Sequence, residues 1–166
     1  MPDKAIEAYL QQLGIDYVRH EHEPVYTCED AAKIYDPVMG TQTKNVFLRD
    51  KKGHRHILVT LTADKQIDLQ TLRRMIDSTK LSFGSPERLE ARLRVTPGSV
   101  SPFGLVHDPE AEVEFYLDED LLQPQQMHFH PNKNTLSLQV SNDDLVLFLD
   151  SMPHEWQAIM IPRLPQ

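Results

Sequence analysis

The chain has 166 residues, 40% of them hydrophobic and 25% charged, and a net charge of −8. These values exclude a disordered or fibrous chain and fit a single globular domain spanning 1–166, with a core that buries about two thirds of the unfolded surface. The absence of an 18-residue apolar run and of a basic-then-apolar start argues against a membrane span and a secretory signal.

The single Cys28 cannot form an internal disulfide, which suits a reducing cytoplasm. The acidic balance argues against broad, non-specific nucleic-acid binding. The charge is uneven, however. Residues 70–96 carry Arg73, Arg74, Lys80, Arg88, Arg92 and Arg94 against Asp77, Glu87 and Glu90, whereas residues 108–120 hold seven acids and no Lys or Arg. The basic stretch reads either as two solvated helix faces or as a small landing patch for a phosphate backbone.

In chain order, residues 3–13 predict a helix with Ile6, Tyr9, Leu10 and Leu13 on one face and Gly14 as its stop. Residues 17–22 alternate like a strand. Thr27-Cys28-Glu29-Asp30 resembles a capping box opening a helix that Asp36-Pro37 ends. Residues 44–49 and 56–62 predict a hairpin around Asp50-Lys51-Lys52-Gly53. Asp68 predicts the cap of a helix through Ile76, and Ser85-Pro86-Glu87 starts another, with proline in the first turn. Strands follow at 113–117, 127–130 and 135–140. Ser141 then caps a helix burying Leu145, Phe148 and Leu149, and 156–161 returns as a terminal strand. Hairpins without regular strand–helix–strand alternation predict an α+β fold with a mixed, largely antiparallel sheet flanked by helices.

Two segments stand out chemically. Thr96-Pro97-Gly98-Ser99-Val100-Ser101-Pro102-Phe103-Gly104 has two glycines and two prolines in nine residues. That composition predicts a shaped loop rather than a helix or central strand, and its hydroxyls make it polar. Thr43-Lys44-Asn45-Val46-Phe47 places an ammonium at the head of an apolar run. A cation facing a loop rich in N–H groups is suited to a carbonyl or carboxylate ligand. In an ideal strand Lys44 and Asn45 point to opposite sides, so a bend near Gly40 is needed to bring both to one site.

The three His-x-His pairs, His20/His22, His54/His56 and His128/His130, each have chelating spacing on a strand. No further ligand set completes a metal site, and none is expected. Cys28 has no assignable histidine partner and reads as a core residue. No Gly-x-Ser-x-Gly or phosphate-binding loop is present.

The segments Thr43-Lys44-Asn45-Val46-Phe47-Leu48-Arg49-Asp50, Gly84-Ser85-Pro86-Glu87-Arg88-Leu89, residues 95–105, and Phe129-His130-Pro131-Asn132 occur in an order and at spacings that resemble the YbaK/prolyl-tRNA-synthetase-associated family of free-standing editing domains. The resemblance implies a YbaK-like α+β fold and a trans-acting deacylase that hydrolyses the ester of mischarged tRNA, alanyl-tRNA(Pro) first among candidates. It implies Lys44 as the catalytic residue. Asn45, the Gly-x-x-x-Pro loop of Gly98, Ser99, Val100, Ser101 and Pro102, and His130 would bind substrate. It implies no metal or organic cofactor, tRNA as partner, prolyl-tRNA synthetase as a further one, and a cytoplasmic location without membrane attachment. Editing of a cysteinyl or seryl ester, a non-catalytic tRNA- or synthetase-binding module, and a metal-binding domain remain the alternatives.

Overall fold

The computed structural model describes residues 2–21, 41–97, 99–123, 125–129 and 136–165. The expected helix at Thr27 to Asp36, together with Cys28, Gly98 and His130, lies outside the described residues.

The first helix, α1 (Pro2–Gln12), is followed by Gly14 at φ +73°, a left-handed conformation that suits glycine and turns the chain into β1 (Val18–Glu21). Strands β2 (Thr41–Arg49) and β3 (His56–Thr62) form the expected hairpin, paired from Thr43↔Thr62 to Arg49↔His56. Its turn is held by the Asp50 carboxylate, which accepts from the N–H groups of His54 (2.8 Å) and Arg55 (3.1 Å). Helix α2 (Leu69–Met75) is capped by Asp68, which accepts from Thr71 N. The two-residue β4 (Ser82–Phe83) leads into α3 (Pro86–Leu93), capped by Ser85. A 3-10 helix (Pro102–His107), β5 (Val113–Asp118), a second 3-10 turn (Glu119–Leu122), β6 (Gln126–Phe129), β7 (Leu136–Ser141), α4 (Asn142–Ser151) and β8 (Trp156–Ile159) complete the order.

The strands join in one eight-stranded sheet of order β1-β7-β6-β2-β3-β5-β8, with β4 also on β2. Four pairings are antiparallel (β1–β7, β2–β3, β2–β4, β6–β7) and three are parallel (β2–β6, β3–β5, β5–β8). This is the mixed, largely antiparallel sheet that the hairpins predict.

Alternation along the central strands sends side chains into two cores. Phe47, Leu58, Phe115 and Leu117 face α1, α3, the first 3-10 helix and α4, where Phe103 and Phe148 meet edge to face at 5.1 Å. Leu48, Ile57, Val59 and Tyr116 face α2 through Leu72. Being covered on both faces, β3 is the near-continuous apolar run of the sequence rather than an alternating one.

The structure changes two expectations and adds one strand. The segment expected to be loop to Gly104 becomes a 3-10 helix from Pro102, because proline fits a first helical turn and Phe103 and Leu105 are drawn into the first core. Strand β4 is too short for a pattern to show. The basic residues of 70–96 divide between α2 and α3, which cover opposite faces of the sheet, so Arg73 and Arg74 do not share a patch with Arg88 and Arg92. The latter two are also occupied. Arg88 approaches His56 Nε2 (3.0 Å), and Arg92 pairs with Glu112 (2.5 Å).

Candidate active site

Strand β2 carries the two residues that head the apolar run, and both lie well inside it. Lys44 pairs with Leu61 and Asn45 with Thr60. The strand is continuous from Thr41, so no bend within it turns Lys44 and Asn45 to one side. By the pleat, Lys44 shares the face of Val46 and Leu48, and Asn45 that of Phe47.

What they share is an edge. The described pairing of β6 with β2 covers Thr41 and Gln42, and that of β4 covers Leu48 and Arg49. Lys44 and Asn45 lie between these contacts, one on each side of the strand's outer edge. A ligand brought against that edge meets both side chains.

The Lys44 side chain is partly exposed and makes no hydrogen bond or ion pair with any described residue. Among the described residues its charge is therefore not committed to a structural partner. Asn45 is also partly exposed, but its amide is engaged: Thr60 Oγ1, buried at 0% exposure, donates to Asn45 Oδ1 at 2.5 Å. The sequence gives no sign of this contact, since Thr60 sits in the middle of an apolar run and only the register of the hairpin sets it opposite Asn45.

The loop reaches the first-core face from the end of α3. Arg94 closes that helix in the left-handed region, φ 55°, and its N–H donates to Glu90 O. Ser99 is buried, and its N–H donates to Thr96 O at 3.1 Å, which makes a turn. Val100 packs against the first core, on the side that Asn45 shares. Ser101 is wholly buried, its carbonyl accepts from Gly104 N, and its hydroxyl has no partner among the described residues. Pro102 is buried at the start of the 3-10 helix. The structure thus brings Asn45 and the loop to one face, with Lys44 on the other side of the same strand edge.

Of the histidine pairs, His54 and His56 are both described. His54 is exposed beside the turn, whereas His56 is buried, stacks on Phe47 and faces Arg88. Burial, with Arg92 and Arg88 near by, holds the His56 imidazole below its usual value, so it is a neutral core histidine. Among the described residues no three His, Cys, Asp or Glu side chains converge as a metal site would require. No helix among them is long and apolar enough to cross a membrane.

Residues 22–148 match the family described as the aminoacyl-tRNA editing domain. The chain belongs to the aminoacyl-tRNA editing domain family. It is 42% identical over 156 residues to the prolyl-tRNA editing protein ProX of Acetoanaerobium sticklandii, covering 94% of this chain and 95% of that one. It is 33% identical over 153 residues to the prolyl-tRNA synthetase associated domain-containing protein 1 of Danio rerio, with 91% and 83% covered. The fold is similar to a crystal structure described as a candidate trans-editing enzyme for prolyl tRNA synthetase, with TM-score 0.69, 19% identity and 93% and 94% covered.

The family expected from the motifs is therefore the family found, and this editing domain is an aminoacyl-tRNA hydrolase. The matched span includes all of the candidate site residues, Lys44, Asn45, Gly98 to Pro102 and His130.

Proposed function

We propose that this editing domain, a single domain over 1–166, is a trans-acting deacylase that removes alanine from mischarged tRNA(Pro). The observation that carries the reading is the likeness to the prolyl-tRNA editing protein over nearly the whole of both chains. The need is physical. A synthetase pocket sized for proline cannot strongly reject alanine, because missing methylenes are worth only about 1–3 kcal/mol each, and a second, smaller pocket can hydrolyse what the first admits.

In this reading water attacks the ester carbonyl, and the Lys44 ammonium stabilises the oxyanion that forms. The support is that Lys44 has no partner among the described residues, beside an oriented Asn45 amide. Asn45, Gly98, Ser99, Val100, Ser101, Pro102 and His130 hold the aminoacyl and terminal-ribose groups. An aminoacyl ester is already activated, so oxyanion stabilisation and positioning suffice without an enzyme nucleophile. Prolyl-tRNA synthetase is the proposed partner, as the names of the vertebrate relatives suggest, and the cytoplasm, where tRNA is charged, the proposed location.

A single-turnover deacylation panel of alanyl-, cysteinyl-, seryl- and prolyl-tRNA tests the substrate, with alanyl-tRNA(Pro) expected to react fastest. Lys44→Ala should slow that reaction by about 100-fold or more while circular dichroism stays unchanged. Wild-type rates in the variant would remove Lys44 from the mechanism. A faster cysteinyl or seryl ester would reassign the substrate.

A further inference from the structure

Asn45 and Thr60 are directly opposite each other on β2 and β3. The hydrogen-bond directions say how closely they approach. Phe47 O accepts from Gly84 N, on the outer side of β2, whereas Gln42 O accepts from Ala63 N, on the β3 side. Main-chain groups alternate along an antiparallel strand, so those of Asn45 turn outward with Phe47. Asn45 and Thr60 thus form a non-hydrogen-bonded pair, the kind in which side chains come closest. This is why a short threonine reaches the amide, and its hydroxyl donates to Asn45 Oδ1 at 2.5 Å.

A primary amide has one acceptor end and one end with two donors. Thr60 engages the acceptor end from inside the fold, where it is itself wholly buried. In this arrangement Thr60 is the donor, and the partly exposed Asn45 turns its NH₂ away from it.

We infer that Thr60 is a positioning residue of the editing site: it locks the Asn45 amide so that Nδ2 presents N–H donors to an oxygen of the substrate, the ester carbonyl or a ribose oxygen. The inference rests on the deacylase reading above, and it assigns Asn45 a chemical sense. Asn45 recognises an acceptor atom. It does not recognise the α-ammonium group, which would need its oxygen.

A double-mutant cycle on the full chain tests this, with alanyl-tRNA(Pro) as probe. Thr60→Val keeps the shape and removes the hydroxyl, and should lower kcat/KM by about tenfold. Thr60→Ser should regain most of that loss. In an Asn45→Ala background, Thr60→Val should cost little more, because a residue acting through Asn45 has nothing left to position. Asn45→Asp, which replaces the donor end by an oxygen, should fall below Asn45→Ala.

Four results overturn the inference: a Thr60→Val enzyme with wild-type kinetics; a Thr60→Val loss that is equally large without Asn45, which marks a structural role; no recovery in Thr60→Ser; or an Asn45→Asp enzyme as active as wild type. Thermal unfolding of each variant separates misfolding from misplacement. A wild-type protein inactive on every ester of the panel refutes the deacylase reading itself and this inference with it, an outcome distinct from the four, all of which need an active wild type.

Discussion

Lys65 is 2% exposed and Asp118 0%, an unusual depth for two charged side chains. Burial alone would push the lysine towards its neutral form, but Asp118 at 2.9 Å and Asp120 at 3.0 Å outweigh it and hold the ammonium above its ordinary value. The pair also secures the end of β3, because Asp118 accepts from Thr62 N, and Thr62 pairs with Thr43 beside Lys44. Lys65→Met keeps the stem and leaves the buried carboxylate without its cation. It should cost about 3–5 kcal/mol in urea unfolding. A loss under about 1 kcal/mol would mean that the N–H groups of Thr62 and Asp120 satisfy Asp118 by themselves. Nothing in the sequence near Lys65 announces this role. A lone lysine after a strand reads as solvated, and its partner lies 53 residues away. Separations of 59 and 46 residues likewise hide Arg55 on Glu114 and His154 on Asp108. Five of the seven acids in 108–120 are engaged in such contacts, so the acidic run is in large part structural rather than a solvated tail.

Between elements, the join of β4 and α3 shows how tightly the site is backed. A Cβ added at Gly84 would lie 2.5 and 2.7 Å from two ring carbons of Phe47, a buried core residue, while Gly84 N donates to Phe47 O. Phe47 cannot retreat without disturbing the first core, and it is two residues from Asn45 on the same face. Gly84→Ala should therefore destabilise the fold by about 1–3 kcal/mol, read by urea unfolding, and should also lower the deacylation rate. An unchanged unfolding midpoint would show that the ring shifts freely. The elements around this join were legible because their signals are local. Asp68, Ser85 and Ser141 each cap the helix that their position predicts, accepting from the N–H three residues on. The two runs expected to form a hairpin also pair with each other. Strand β4 and the 3-10 helix at Pro102 were not legible, since both depend on what they pack against.

For the whole molecule, stability should depend on pH through two histidines from different elements. His56 is held below 6.5 by burial and by Arg92 and Arg88, and His107 by burial and by Arg94. The unfolded chain then takes up these protons at a higher pH than the folded one. Stability from the two groups is complete above pH 6.5 and is lost as pH falls through their lowered folded values. Asp50, Asp64 and Asp68 are held below 3.8, chiefly by hydrogen bonds from the Arg55 N–H, Thr62 and Thr71 respectively, so the stability they give is complete above pH 3.8 and is lost only in stronger acid. Urea midpoints should fall between pH 7.5 and 5.5, and His56→Gln should flatten that slope. A variant with the full wild-type slope would remove His56 as a source. This pH dependence needs the fold, because in the sequence His56 is one of a His-x-His pair beside a charged turn and nothing there marks its burial.

By itself the sequence determined the α+β class, most element positions and the editing family. Each of these rests on local chemistry: caps, turns and alternation, and four short motifs in fixed order. The tertiary structure decided which residues meet. It set Thr60 on Asn45 and Lys65 on Asp118, and it left Lys44 and Asn45 on opposite sides of one strand edge instead of on a shared face. Sheet order and register fix such contacts, and both follow from burying two cores at once, a condition imposed on the whole chain that no short segment of it can express.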